Sequence, residues 1–288
     1  MVTDSRHNAF LGRVPLSSGN RSKCIPILRH DHCDLHYELT GTGPAVVFAA
    51  GLGGTAAWWQ DEVRRYSPRF RCLTFDQRGT GRSSHVPVRS VEQMAGDLVA
   101  ILDHAGLPSA HLVGHSTGGA IGLAMALDHP SRIASLVLQS SPSHGDAYRR
   151  RLFEVRRDLH GMGAEAYARF TTLLLYPPYF INANDAALRA EEALAAAALG
   201  PPEVQGSRMD AILSFDRRAD LHRVGIPVRV IVAEDDILTP RYFAGELVRH
   251  IPGAEACFAP RGGHALSRTE PALFDALVLP FLDRVTKS

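Results

Sequence analysis

Apolar and polar positions along the chain fall into two alternating patterns. Short continuous apolar runs, such as "AVVFAAG" (Ala45 to Gly51), end in glycine or a polar turn, as strands buried on both faces do. "RCLTFDQRG", "AHLVG", "IASLVLQSS", "PVRVIVAEDD" and "EACFAPRGG" repeat that form, and "IPILRH" with "LHYELTG" reads as an opening strand pair. Between them lie stretches of helical period. Val91 to His104 carries Val91, Met94, Ala95, Leu98, Ile101 and Leu102 on one face. "GGAIGLAMALDHP", a segment near Tyr242 to His250, and Pro271 to Val285 give three more helices. This alternation predicts an α/β fold, a mostly parallel sheet with helices on both faces.

Residues 143–215 break the alternation. They hold no strong strand pattern, many Ala and Arg residues, and the aromatic cluster "TTLLLYPPYF". They are expected to form a helical cap over the carboxyl edge of the sheet, where open α/β sheets place their ligand crevice. Residues 24–142 and 216–288 would then be one core. Residues 1–23, "MVTDSRHNAFLGRVPLSSGNRSK", lack the apolar stretch of a secretory signal and read as a flexible leader.

Composition narrows the choice. With 288 residues, 45% hydrophobic and 21% charged, the chain can bury a large core without disulfide or metal staples. Lys and Arg total 31 against 30 Asp and Glu, so no field of one sign points to nucleic acid or membrane. The four cysteines form no C-x-x-C pair, which suits a cytoplasmic protein. No metal-spaced His/Cys cluster and no dinucleotide turn is present, so neither metal nor organic cofactor is expected.

The chemistry centres on "HLVGHSTGGAIGLAMAL". A strand enters a helix through Gly114-His115-Ser116-Thr117-Gly118. A serine at the tip of so sharp a turn needs small neighbours two residues away on each side, and both are glycine. The helix opening behind it offers free N–H groups to an oxyanion, Thr117 N–H first. A serine nucleophile needs a base, and the base an orienting carboxylate. Asp235 and Asp236 follow one buried strand, and His264 sits in the glycine-rich loop after the next. Of 14 histidines, His264 stands out by position as the base. His115 reads as structural, its side chain leaving on the other side of the turn.

"GLGGTAAWW", "FDQRGTGRSS", "VGHSTGG", "AEDDILTP" and "GGHALS" stand in the order of the α/β-hydrolase superfamily. The chain resembles that superfamily from about Cys24 onward. The resemblance implies an eight-stranded sheet and a Ser116–His264–Asp236 triad, with Asp236 chosen because Ala233, Asp236 and Pro240 fit the family's (G/A)-x-x-D-x-x-x-P pattern. It also implies Leu52 N–H as second oxyanion donor and a structural role for Asp76 and Arg78. Within the superfamily the chain is similar to the aminoacrylate-hydrolase-like group of pyrimidine catabolism, through "GLGG", "DQRGTG", "RRRLFEVRRDL", "LLLYPPYF" and "GGHA". Some of that group lack a serine at this turn, so Ser116 is a departure toward covalent acyl transfer. Enol-lactonases share the core motifs but less of the cap.

The expected activity is hydrolysis of a small acyl substrate, an ester, lactone or amide/enamine, with a carboxylate on it a further expectation. Gly51, Trp58, Trp59, Arg156, Arg157 and Tyr176 are the expected substrate-binding residues. Arg149 and Arg156 share one helix face, as do Arg150 and Arg157; the plain reading of this helix is a solvated basic face, and the alternative is that one pair faces the crevice and meets a substrate carboxylate. A small molecule is the expected partner, without nucleic acid or membrane and with room for a homodimer. The rival readings are a C–C-bond hydrolase or cofactor-free perhydrolase on the same scaffold, and a slow-turnover ligand-binding receptor.

Overall fold

The computed structural model describes residues 27–287, so the expected leader (1–23) lies outside the described residues. The apolar runs form β1 (Ile27–His30), β2 (Cys33–Thr40), β3 (Ala45–Ala49), β4 (Arg71–Phe75), β5 (Ala110–His115), β6 (Ile133–Gln139), β7 (Val228–Ala233) and β8 (Glu255–Ala259). They make one eight-stranded sheet in the order β1-β2-β4-β3-β5-β6-β7-β8. β1 pairs with β2, and β2 with β4, antiparallel. All later neighbours are parallel.

Continuous apolar sequence means burial on both faces, and period two decides which face each residue serves. Val47, Leu112 and Leu136 pack into one core with α2 (Val91–His104) and α3 (Thr117–Asp128). Val46, Val113 and Val137 pack into the other, against residues of α1 (Gln60–Tyr66) and α10 (Pro271–Lys287). The serine hydroxyl of Ser90 caps α2 by accepting from Gln93 N–H. α8 (Arg241–His250) and the short α9 (Leu266–Thr269) complete the sheet's flanks.

Between β6 and β7 the chain forms α4 (Ala147–Met162), α5 (Ala164–Leu175), α6 (Pro178–Ala197) and α7 (Pro202–Ser214). An isolated bridge between His144 and Asp216 ties together the points where the chain leaves the sheet and returns. Asp146 caps α4 through Arg149 N–H and fixes the phase of that helix. Among the described residues, no helix is long and apolar enough to cross a membrane.

Candidate active site

Ser116 stands between β5 and α3 with φ 52 and ψ −113, a left-handed backbone rarely adopted by a residue with a side chain. Its surroundings hold it there. Ser116 N–H donates to Gln139 O, and its own carbonyl accepts from Gly119 N–H. The flanking glycines are required by space. A Cβ on Gly118 would lie 2.0 Å from Ala49 O, and one on Gly114 would lie 2.6 Å from Gly118 O. Thr117 begins α3, so its N–H has no acceptor within the helix.

Two further strand ends deliver the other polar groups. After β7, the Asp236 carboxylate is buried, and its Oδ1 accepts from Leu238 and Thr239 N–H at 2.9 Å each. After β8, His264 turns its Nδ1 toward Asp236, 3.0 Å from Oδ2. The His264 backbone is gripped as well: its carbonyl accepts from Gln139 Nε2 at 2.9 Å and His115 Nε2 at 3.0 Å. Asp235 points elsewhere and accepts from Gly263 N–H.

His115 corrects one sequence expectation. Its ring lies on the cavity side of the turn, stacked on Trp58 at 4.9 Å and 4.7 Å from the His264 ring. Because Nε2 donates to a carbonyl, Nδ1 is left as the acceptor nitrogen. Burial, reinforced by His264 and Arg268, pushes its pKa well below the ordinary range. His115 is a neutral imidazole that supports the His264 loop.

Ser116 and His264 open into one cavity of about 300 Å³. Gly51 and Leu52 form part of its lining, beside the serine. A Cβ on Gly51 would lie 3.0 Å from His115 Nδ1 and 3.4 Å from Ser116 Cβ, so the backbone approaches the serine closely here. Trp58 and Tyr176 also line it, the tyrosine stacked on Phe180. Trp59 does not. It is fully buried between Phe48 and Phe274 on the far face of the sheet, because adjacent residues leave a helical turn in different directions.

The two arginine pairs separate as the helix phase dictates. Arg149 and Arg156 face inward and are buried. Arg149 donates to His144 O, under the rings of Phe153 and Phe243, and does not reach the cavity. Arg156 does reach it. Its Nη2 donates to Tyr167 Oη at 2.7 Å and lies 3.3 Å from Thr171 Oγ1, while Nε has no partner among the described residues. Its partners are thus neutral. Arg157 was expected to bind substrate, but the half-exposed side chain lies outside the cavity and pairs with Asp210. Asp76 and Arg78 hold turns: Asp76 accepts from Ala56 and Arg82 N–H, and Arg78 forms a bidentate pair with Asp97.

Sequence reasoning missed Arg208, Gln77 and Gln139. Arg208 and Gln139 have no motif around them, Gln77 lies in "FDQRGTG" without a role assigned to it, and each acts on a backbone carbonyl more than a hundred residues away or in a neighbouring loop. For Arg208 the signal was the glycine of "GLGG" that leaves room for it.

A sheet of this order, with a strained serine after β5 and a histidine–carboxylate pair after β8 and β7, defines the α/β-hydrolase class. A sequence profile described as alpha/beta hydrolase fold matches residues 44–271, and the chain belongs to that family. Within it the chain falls with the aminoacrylate-hydrolase-like group, and the protein is a hydrolase enzyme. It is 36% identical over 263 residues to a protein of Azorhizobium caulinodans named "Putative carbamate hydrolase RutD", covering 91% of this chain and 99% of the relative. A relative of the same name from Caulobacter sp. strain K31 is 39% identical over 256 residues, covering 86% of this chain and 95% of the relative. Among solved structures, the enol-lactonase from Burkholderia xenovorans LB400 superposes with a TM-score of 0.83 at 23% identity, covering 90% of this chain and all of the other. That last likeness concerns the fold alone.

Proposed function

We propose that the protein hydrolyses a small acyl substrate through a covalent acyl-enzyme on Ser116. The observation that carries this reading is the shared cavity: strained Ser116 and His264 line it together, and Asp236 stands behind His264. In the reading, His264 Nε2 takes the hydroxyl proton as Ser116 Oγ bonds to the substrate carbonyl carbon. Asp236 holds Nδ1–H and stabilises the imidazolium. Leu52 and Thr117 N–H receive the oxyanion. Collapse breaks the bond to the leaving group, which departs with the proton from His264. Water, deprotonated by the same histidine, then releases the acid and restores the serine.

The substrate class is an ester, lactone, amide/enamine or carbamate. The last is supported by the name of the two relatives. Arg156 would take an acidic group of the substrate, because it is a buried cavity cation with only neutral partners. Gly51, Trp58 and Tyr176 would shape the rest of the site. Residues 143–215 act as its cap, the substrate is the only partner required, and the cytoplasm is the location. Turnover of matched p-nitrophenyl esters, lactones, small amides and carbamates by the wild type and Ser116→Ala tests the reading. Loss of turnover in Ser116→Ala supports it. A fall of under tenfold would mean that His264 activates water directly.

A further inference from the structure

Arg208 presents a problem of charge. It is fully buried, on α7, and among the described residues no carboxylate lies within ion-pair distance of it. A buried cation is costly unless hydrogen bonds satisfy it. Here they come from two loops, through two backbone carbonyls and one side-chain amide. Nη2 donates to Leu52 O at 2.9 Å and to Gln77 Oε1 at 2.7 Å, Nε to Leu52 O at 3.3 Å, and Nη1 to Arg78 O. Burial pushes its pKa down to about 10, which leaves the group charged at neutral pH.

The other carbonyls of the same loop are tied down in turn. Ala50 O accepts from Gln77 Nε2 at 2.7 Å, and Gly51 O from Gly54 N–H at 3.0 Å. Gly54 O accepts from Gln77 N–H and the Thr80 hydroxyl. The peptides on both sides of Leu52 are therefore fixed in orientation, one through Gly51 O and one through Leu52 O. Leu52 N–H belongs to the Gly51–Leu52 peptide, held through Gly51 O by Gly54 N–H, and Arg208 acts on it through the adjoining Leu52–Gly53 peptide, whose carbonyl it grips. Gly54 has φ +70, and a Cβ there would lie 2.6 Å from Arg208 Nη2, so the loop is shaped around the guanidinium.

We infer that Arg208 is a positioning residue for the oxyanion hole, a guanidinium from the helical segment that fixes the Leu52–Gly53 peptide and through it the loop that presents Leu52 N–H. The inference rests on the proposed role of Leu52 N–H. It also makes the oxyanion hole depend on how α7 seats against the core. A lysine cannot replace this fork, since its compact ammonium cannot reach three acceptors in their fixed directions.

The test uses the full chain carrying Arg208→Lys or Arg208→Met, with a p-nitrophenyl ester that the wild type turns over. Inhibition is measured with phenylboronic acid, which forms a tetrahedral adduct on an active serine, and with the product acid, which does not. We expect kcat to fall ~10²-fold, the order for losing one oxyanion donor, with KM little changed. Boronate affinity should fall in parallel with kcat, and product-acid affinity should hold. Should the Arg208 variants fail to fold, Gln77→Leu, which frees Ala50 O and removes one Arg208 acceptor, is expected to give the same signature at smaller size. Unchanged kcat and boronate affinity per folded molecule, with only a lower Tm, would reduce Arg208 to a structural staple and overturn the inference. Ser116→Ala separates the two levels. If that variant is inactive while Arg208→Met keeps its kcat, only the inference about Arg208 fails; if it stays active, the serine reading itself fails.

Discussion

His264 Nδ1 lies 3.0 Å from Asp236 Oδ2, and neither side chain reaches solvent. The next residue back, Asp235, holds the Gly263 N–H instead, 2.8 Å away. Two adjacent carboxylates thus serve the same loop differently, one at the ring and one at the backbone. Asp236→Asn is predicted to lower kcat by ~10⁴-fold, because an amide selects the wrong imidazole tautomer. Asp235→Asn keeps an acceptor oxygen for Gly263 N–H and should cost less than about tenfold, under ~1.4 kcal/mol. Steady-state kinetics on both variants decides the assignment, and the reverse ranking would move the acid to Asp235.

Gly118→Ala should fail as a fold before it fails as an enzyme. Its new Cβ would sit 2.0 Å from Ala49 O, a backbone atom of a central strand that cannot move aside. The expected loss is at least ~3 kcal/mol, at the upper end for overpacking. Urea unfolding measures it, with Gly96→Ala as a control, since nothing lies near a Cβ there. Equal stability of the two variants would contradict the packing of α3 on β3.

Arg156→Ala should raise KM for a hemi-ester acid at least tenfold, since losing one partner of a buried charge pair costs ~2–5 kcal/mol. A neutral ester of the same size should be little affected. Arg157→Ala should change neither, since that side chain is half-exposed and bound to Asp210. No preference for the acid in the wild type would remove the carboxylate from the substrate class.

Glu62 supplies a stability prediction with a definite sign. Its carboxyl is buried in α1, with one oxygen 3.3 Å from Arg65 Nη2 and the other unpartnered. Burial raises its pKa from an ordinary 4.5 to about 7. Between these values the folded protein keeps a proton that the unfolded chain has lost, so stability falls as pH rises through that window. Above pH 7 the accumulated loss is up to ~3 kcal/mol, at ~1.4 kcal/mol per pH unit. Glu62→Gln should therefore be more stable than the wild type at pH 8 and nearly equal to it at pH 4. Unfolding at the two pH values reads the difference, and an equal gain at both would mean that the effect is not ionisation.

The parts of this molecule that follow local rules were readable in the sequence. Val91–His104 was bounded correctly by its apolar period, and in the structure Ser90 caps it. The strands were readable because burial on both faces leaves an unbroken apolar run, and the turn at Ser116 because its glycines are dictated by close approach. Where neighbours compete, sequence could not choose. Trp58 and Trp59 are chemically alike, and only packing puts one in the cavity and the other in the core. Arg156 and Arg157 differ only in helix phase, which is fixed by the cap at Asp146. Arg208 could not be assigned, because two of its three acceptors are main-chain carbonyls, which every residue possesses.

The central claim is that an acyl group resides on Ser116 during turnover. Intact-protein mass spectrometry after rapid acid quench of an activated ester or carbamate tests it most directly. The wild type should gain the mass of the acyl group, mapped by peptide digestion to Ser116, and Ser116→Ala should gain nothing and turn over ~10⁶-fold more slowly. An unmodified wild type throughout turnover, with Ser116→Ala within tenfold of its rate, would contradict the account.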